Sequence, residues 1–132
     1  MNIPPWTAQI LLLCALLQIL LVFNVGRQRS RSGIQAPAMS GDAALERAVR
    51  THMNTLEQFG IFLPTLLVAA AYAGDAISAS LGAIWIAGRV IYAIGYQQAA
   101  SRRGLGFAIS ALALVCLWLA AAREFLRLWL AS

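Results

Sequence analysis

Apolar residues fill long runs of this chain, and polar residues gather in short stretches between them. A helix needs roughly 20 apolar residues to cross a hydrocarbon core about 30 Å thick. By that ruler the pattern predicts four membrane-spanning helices, at approximately 5–25, 43–73, 76–99 and 103–130. Pro5 suits a first helical turn, and the first run gives way to Gly26-Arg27-Gln28-Arg29-Ser30-Arg31. The strictly apolar part of the second run, 59–73, is too short to span. That helix must therefore start near His52 or earlier, which draws Asn54 and Glu57 against the bilayer. Residues 27–42, with Ser, Gly, Arg and Pro37, read as a polar loop, and Asp42 is placed to cap the helix after it. Gly74-Asp75 leaves room only for a tight antiparallel hairpin between the second and third helices. The predicted fold class is an all-α integral membrane protein, one domain over 1–132 built as a four-transmembrane-helix bundle.

Composition agrees with the pattern and sharpens it. The chain is 61% hydrophobic and 11% charged, with a mean hydropathy of +0.73. A soluble domain has about 45–50% apolar and about 25% charged residues, so a water-soluble globule, a disordered chain and a disulfide scaffold are all excluded. The 10 basic residues are all arginine, against 5 acids, for a net charge of +5. Their distribution is that of a topology signal rather than of a nucleic-acid surface. Arg27, Arg29, Arg31, Arg47 and Arg50 precede or open the second helix, Arg102 and Arg103 separate the third from the fourth, and only Arg123 and Arg127 lie toward the other side. The positive-inside rule then puts the arginine-rich loops in the cytoplasm and both termini outside. The lysine-free, alanine- and arginine-rich composition points to a bacterial inner membrane. The first run lacks a basic n-region and a small-residue cleavage site, so it is expected to be a span rather than a cleaved signal. Cys14 and Cys116 lie inside apolar runs, where a thiol behaves as a small hydrophobe, and no disulfide is expected. His52 has no second histidine or cysteine at ligand spacing, and no metal site is expected.

Charges inside a membrane cost about 2.5–3.5 kcal/mol each at mid-helix, which makes them candidates for function. Glu57 and Arg89 qualify. At 1.5 Å per residue Glu57 lies roughly 8 Å below His52 and Arg89 roughly 10 Å below Tyr96, one depth on adjacent antiparallel helices. The expectation is that they neutralise each other, either as part of a site or simply to fix helix register. Arg50, Asn54 and Glu57 recur at i, i+4 and i+7, and Trp85, Arg89, Tyr92 and Tyr96 at i, i+4, i+7 and i+11, so each set forms a helix stripe. Arg103 follows near the start of the fourth helix, where free backbone amides also favour anions. Such a cleft suits a polar anionic ligand with an apolar flank. Gly82, Ala83, Ala87, Gly88 and Gly95 suggest close helix packing on the third helix.

The run from Leu45 to Glu57, Leu-Glu-Arg-Ala-Val-Arg-Thr-His-Met-Asn-Thr-Leu-Glu, with Phe62-Leu63-Pro64 after it, resembles the MAPEG family of membrane-associated proteins in eicosanoid and glutathione metabolism. So does Gly88-Arg-Val-Ile-Tyr-Ala-Ile-Gly-Tyr96. The resemblance implies a homotrimer that binds glutathione between protomers near the cytoplasmic face. It implies glutathione-binding roles for Arg50, Asn54, Glu57, Arg89, Tyr96 and Arg102, and catalytic roles for Arg103 and Tyr92. Arg103 corresponds to the thiol-activating arginine of leukotriene C4 synthase-like members, with Arg102 as its neighbour in register. Met53 stands where prostaglandin E synthase-like members carry another arginine, and Gly60 where many members carry proline. The implied activity is that of a glutathione transferase or peroxidase acting on lipophilic electrophiles or lipid hydroperoxides, with glutathione as co-substrate, no metal, and lipids as surroundings. The alternative is a non-catalytic lipid-binding scaffold, and a small drug exporter is disfavoured because a paired Glu57 is poorly suited to bind a cation. One arginine is energetically sufficient for activation. Lowering a thiol by two pKa units takes about 2.7 kcal/mol, and a charge-assisted hydrogen bond supplies roughly 1.5–3 kcal/mol.

Overall fold

A computed structural model describes residues 2–132. Four helices follow one another: α1 (Pro5–Ser32), α2 (Ala43–Tyr72), α3 (Asp75–Gln98) and α4 (Gly104–Leu130), with a short 3-10 turn, Ala100–Arg103, between the last two. All four are long and apolar enough to cross a membrane. The predicted four-helix membrane bundle is the observed fold.

The termini of the helices follow local chemistry. Pro5 occupies the first turn of α1. Asp42 caps α2, its carboxylate accepting from the Leu45 amide at 2.8 Å, while Glu46 reaches back to accept from the Gly41 amide at 3.0 Å. Gly74 holds φ +96° between α2 and α3, a conformation that permits the tight hairpin. The first loop is shorter than expected. Arg27, Arg29 and Arg31 belong to the last turns of α1, which stops only where Gly33 adopts φ +72° and donates to the Arg29 carbonyl. Arginine is a good helix former, and polarity alone did not break the helix until a glycine allowed the left-handed turn. Arg29 then reaches over the loop, its Nη1 donating to the Ala38 carbonyl at 2.6 Å.

The interior and the surface are both apolar, as lipid solvation permits. Ile10, Cys14, Phe62, Leu66, Trp85 and Leu117 form the core, and the Phe62 and Trp85 rings stack at 4.1 Å between centroids. Leu12, Phe23, Leu112, Trp118 and Trp129 face outward. The seam between α3 and α4 is the tightest part of the bundle. A Cβ on Gly88 would lie 2.6 Å from the Ser110 backbone nitrogen, and one on Gly106 would collide with the backbone of Tyr92. Gly82 and Gly95 also sit in close contacts. Ala83 and Ala87, expected to join them, are instead exposed on the outer face of α3. At the end of the bundle opposite Arg102 and Arg103, Asp75 accepts from the amides of Trp6 and Thr7 at 3.1 and 2.8 Å and from the Thr7 hydroxyl at 2.7 Å. The start of α1 is thereby tied to the start of α3.

Candidate functional site

The arginine-bearing end of the bundle opens into a cleft of about 340 Å³, at the small end of the roughly 300–1,000 Å³ typical of small-molecule sites. Its lining comes from three helices. Arg50 and Asn54 stand on α2, Tyr92 and Tyr96 on α3, and Arg103, Gly104 and Phe107 on the turn and first residues of α4. Five residues singled out from the sequence are thus gathered in one place. The seam explains how: with no side chain at Gly106, α4 starts directly against Tyr92, so Arg103 is held beside the tyrosine stripe.

Arg103 and Tyr96 form the mouth. The guanidinium carbon stands 5.4 Å from the Tyr96 ring centroid, and Nη1 is 3.4 Å from the phenol oxygen. Tyr92 and Tyr96 are buried and lean toward each other, with ring centroids 5.6 Å apart. Phe107 supplies an apolar edge, 6.5 Å from the Tyr92 ring. Sequence periodicity missed Gly104 and Phe107, since both lie on the first turn of a helix whose apolar pattern shows no break there.

Beneath the cleft lies Arg89, wholly buried. Its Nη2 donates to Asn54 Oδ1 at 3.0 Å and to Thr55 Oγ1 at 2.7 Å, and its guanidinium carbon lies 4.0 Å over the Tyr92 ring. Arg89 does not line the cleft. It fixes Asn54 and the Tyr92 ring, which do.

Two expectations are corrected. Glu57 and Arg89 share a depth but form no ion pair, because Glu57 is exposed on the outer face of α2. At about 100° per residue it sits about 200° around the helix from Thr55, which faces the interior. Depth came from the 1.5 Å rise, whereas azimuth needed the buried face of α2, which is set by Thr51, Thr55 and Phe62. Asn54, at the edge of that face, reaches the cleft, and Glu57 lies outside its lining. Arg102 is the second correction. It points away from the cleft and donates to Gln98 Oε1 at 2.9 Å, so of the two adjacent arginines only Arg103 enters the lining.

No group of three or more His, Cys, Asp or Glu side chains arranged to hold a metal ion occurs among the described residues. The chemistry available is that of two guanidinium groups, two phenols and an amide around a cavity whose lining contains no carboxylate. Such a site favours an anion or a group that becomes one.

Comparison with known proteins identifies the family. An uncharacterised protein of Synechocystis sp. is 47% identical over 107 residues, covering 81% of this chain and 78% of that protein. Human microsomal glutathione S-transferase 2 is 34% identical over 103 residues, covering 78% and 70%. Leukotriene C4 synthase of Cavia porcellus is 34% identical over 96 residues, covering 73% and 64%. The family model described as MAPEG family matches residues 7–123, a stretch that takes in α2 and α3 whole, most of α1 and α4, and every residue of the cleft. The chain belongs to the MAPEG family.

Proposed function

We propose that the protein is a glutathione S-transferase, with peroxidase activity, that acts on lipophilic electrophiles or lipid hydroperoxides in the membrane. The observation that carries this reading is the convergence of Arg50, Asn54, Tyr92, Tyr96 and Arg103 on one cleft without a carboxylate. Glutathione offers two carboxylates and a thiol, and each gains from a cation. Arg50 and Asn54 hold a carboxylate by charge-assisted hydrogen bonds. Glu57 stands one turn deeper than Asn54 on α2 and outside the cleft lining, so it meets the ammonium where a neighbouring protomer of the trimer closes over that face. Arg103 faces the sulfur, with the Tyr96 hydroxyl beside it and Tyr92 as a second donor to the sulfur or the substrate. A fixed guanidinium favours thiolate over thiol, which raises the nucleophile concentration at neutral pH. The thiolate attacks the electrophilic carbon and the leaving group departs. With a hydroperoxide it attacks the terminal oxygen instead: the O–O bond breaks, the alkoxide takes a proton and leaves as the alcohol, and the sulfenic acid of glutathione condenses with a second glutathione to give the disulfide and water. Phe107 and the neighbouring apolar helix faces present the lipophilic partner.

The protein works as a homotrimer in this reading, because the cleft is open on one side and the exposed face of α2 is free to supply or receive a wall. The arginine-bearing end faces the cytoplasm of a bacterial cell. Kinetics of Arg103→Ala test the central assignment. Turnover is expected to fall ten- to a hundredfold, about 1.4–2.8 kcal/mol of lost stabilisation. The ultraviolet thiolate signal that forms on mixing with glutathione is expected to vanish, while glutathione affinity changes little. A wild-type protein that binds glutathione without forming thiolate overturns the enzyme and leaves the lipid-binding scaffold.

A further inference from the structure

A second concavity lies at the arginine-bearing end, on the flank of α3 turned away from Tyr92 and Tyr96. It runs between α1 and α3 and encloses about 470 Å³. Its walls along the membrane are apolar, with Leu17, Leu21, Val90 and Ile94 prominent and the small Ala93 leaving depth between them. Its upper end is polar and basic. Arg27 lines it directly and donates to Asn24 Oδ1 at 2.9 Å. Asn24 in turn donates to Gln97 Oε1 at 3.2 Å, which bridges the two helices at the rim. Gln98 lines the same end and accepts from Arg102, which stands behind it outside the lining. No carboxylate lines the groove.

We propose that the α1–α3 groove binds one anionic glycerophospholipid, with an acyl chain along the apolar walls and the phosphodiester on Arg27 and the rim amides, within the field of Arg102 behind Gln98. The charge pattern selects this occupant. A trough that is apolar along the bilayer and ends in the Arg27 guanidinium with three amide neighbours, and with the Arg102 guanidinium behind Gln98, matches a lipid whose headgroup carries net negative charge. A zwitterionic lipid brings its own cation to the same rim, where the arginines repel it. A free phosphate fills the rim and leaves the trough unused. The polar relay of Arg27, Asn24 and Gln97 holds the rim in place before a lipid arrives, and pre-ordered donors strengthen binding because less freedom is lost. The site is separate from the glutathione cleft, since the two occupy different faces of α3.

Native mass spectrometry of the full chain in dodecyl maltoside tests the proposal. Phosphatidylglycerol and phosphatidylcholine with identical acyl chains are offered in equal amounts, with inorganic phosphate as a third arm. The wild-type protein is expected to retain phosphatidylglycerol at least tenfold over phosphatidylcholine, with no competition from millimolar phosphate. Arg27→Gln combined with Arg102→Gln is expected to abolish the preference, and Ala93→Trp, which fills the trough, to reduce retention of phosphatidylglycerol. A circular-dichroism melt of each variant establishes that it is folded. Equal retention of the two lipids by the wild type overturns the proposal whatever the variants do. So does a preference that survives both replacements, or displacement of the lipid by phosphate alone.

Discussion

Arg89 shows how a charge is accommodated in an apolar bundle without an opposite charge. Two hydrogen bonds that it donates to Asn54 and Thr55, and the face of Tyr92, surround it. Thr55→Val keeps the shape and removes one acceptor, and is expected to lower stability by about 1–3 kcal/mol, the cost of leaving a buried donor unpaired. Glu57→Gln is expected to leave stability within about 0.5 kcal/mol, as for exposed positions generally, while weakening glutathione binding. Detergent-based unfolding titrations and calorimetry separate the two outcomes, and a large loss of stability in Glu57→Gln would restore the ion pair expected from depth alone. Much of the cleft was legible from residue spacing: Arg50 with Asn54, and Tyr92 with Tyr96, are neighbours on their helices because of the 3.6-residue turn. Thr55 was not, because a threonine beside an asparagine carries no periodic signal of its own, and its role depends on which way α2 is rotated.

Helix existence was readable from hydropathy and close packing on α3 from its glycines, but not which helix packs there. The four spans were found within a few residues, except that α1 runs past three arginines to Ser32. Nothing in the apolar pattern marks α3 and α4 as the closest pair. That follows from Gly88 and Gly106, whose missing side chains let backbone meet backbone. Gly106→Ala is expected to cost at least 1–3 kcal/mol, the range for overpacking, and more where backbone must shift. It is also expected to impair catalysis, because Arg103 sits three residues before it. Gly60→Ala is the matched control. A Cβ there meets open space, and higher helix propensity is expected to leave stability unchanged or raise it by up to about 1 kcal/mol. Thermal inactivation of the two variants side by side checks the contrast, and equal effects would mean that the seam is not where the packing is critical.

For the whole molecule the open question is assembly. One chain encloses its core but leaves an exposed ridge on α2 that includes Leu56, Glu57, Ile61 and Val68. A carboxylate on a lipid-facing surface is costly, and a second copy that brings a cation or hydrogen-bond donor to the ridge offsets that cost. The expected outcome of a detergent-corrected mass measurement is three chains per particle. A stable monomer that retains full transferase activity would place the complete site within one chain and reject the trimer.

The contact between Asp75 and the start of α1 bears on how the protein is made. The carboxylate that caps Trp6 and Thr7 is separated from them by 69 and 68 positions along the chain. During translation the first helix therefore enters the bilayer with its leading amides uncapped, and stays so until the third helix has emerged from the ribosome. Until then that end of the nascent chain has only apolar packing, the cluster that Ile10 and Cys14 share with Phe62 and Leu66 of α2. Capping of α1 is accordingly a late event, coupled to the emergence of α3, and a chain arrested before Asp75 carries a first helix whose leading amides still lack their acceptor.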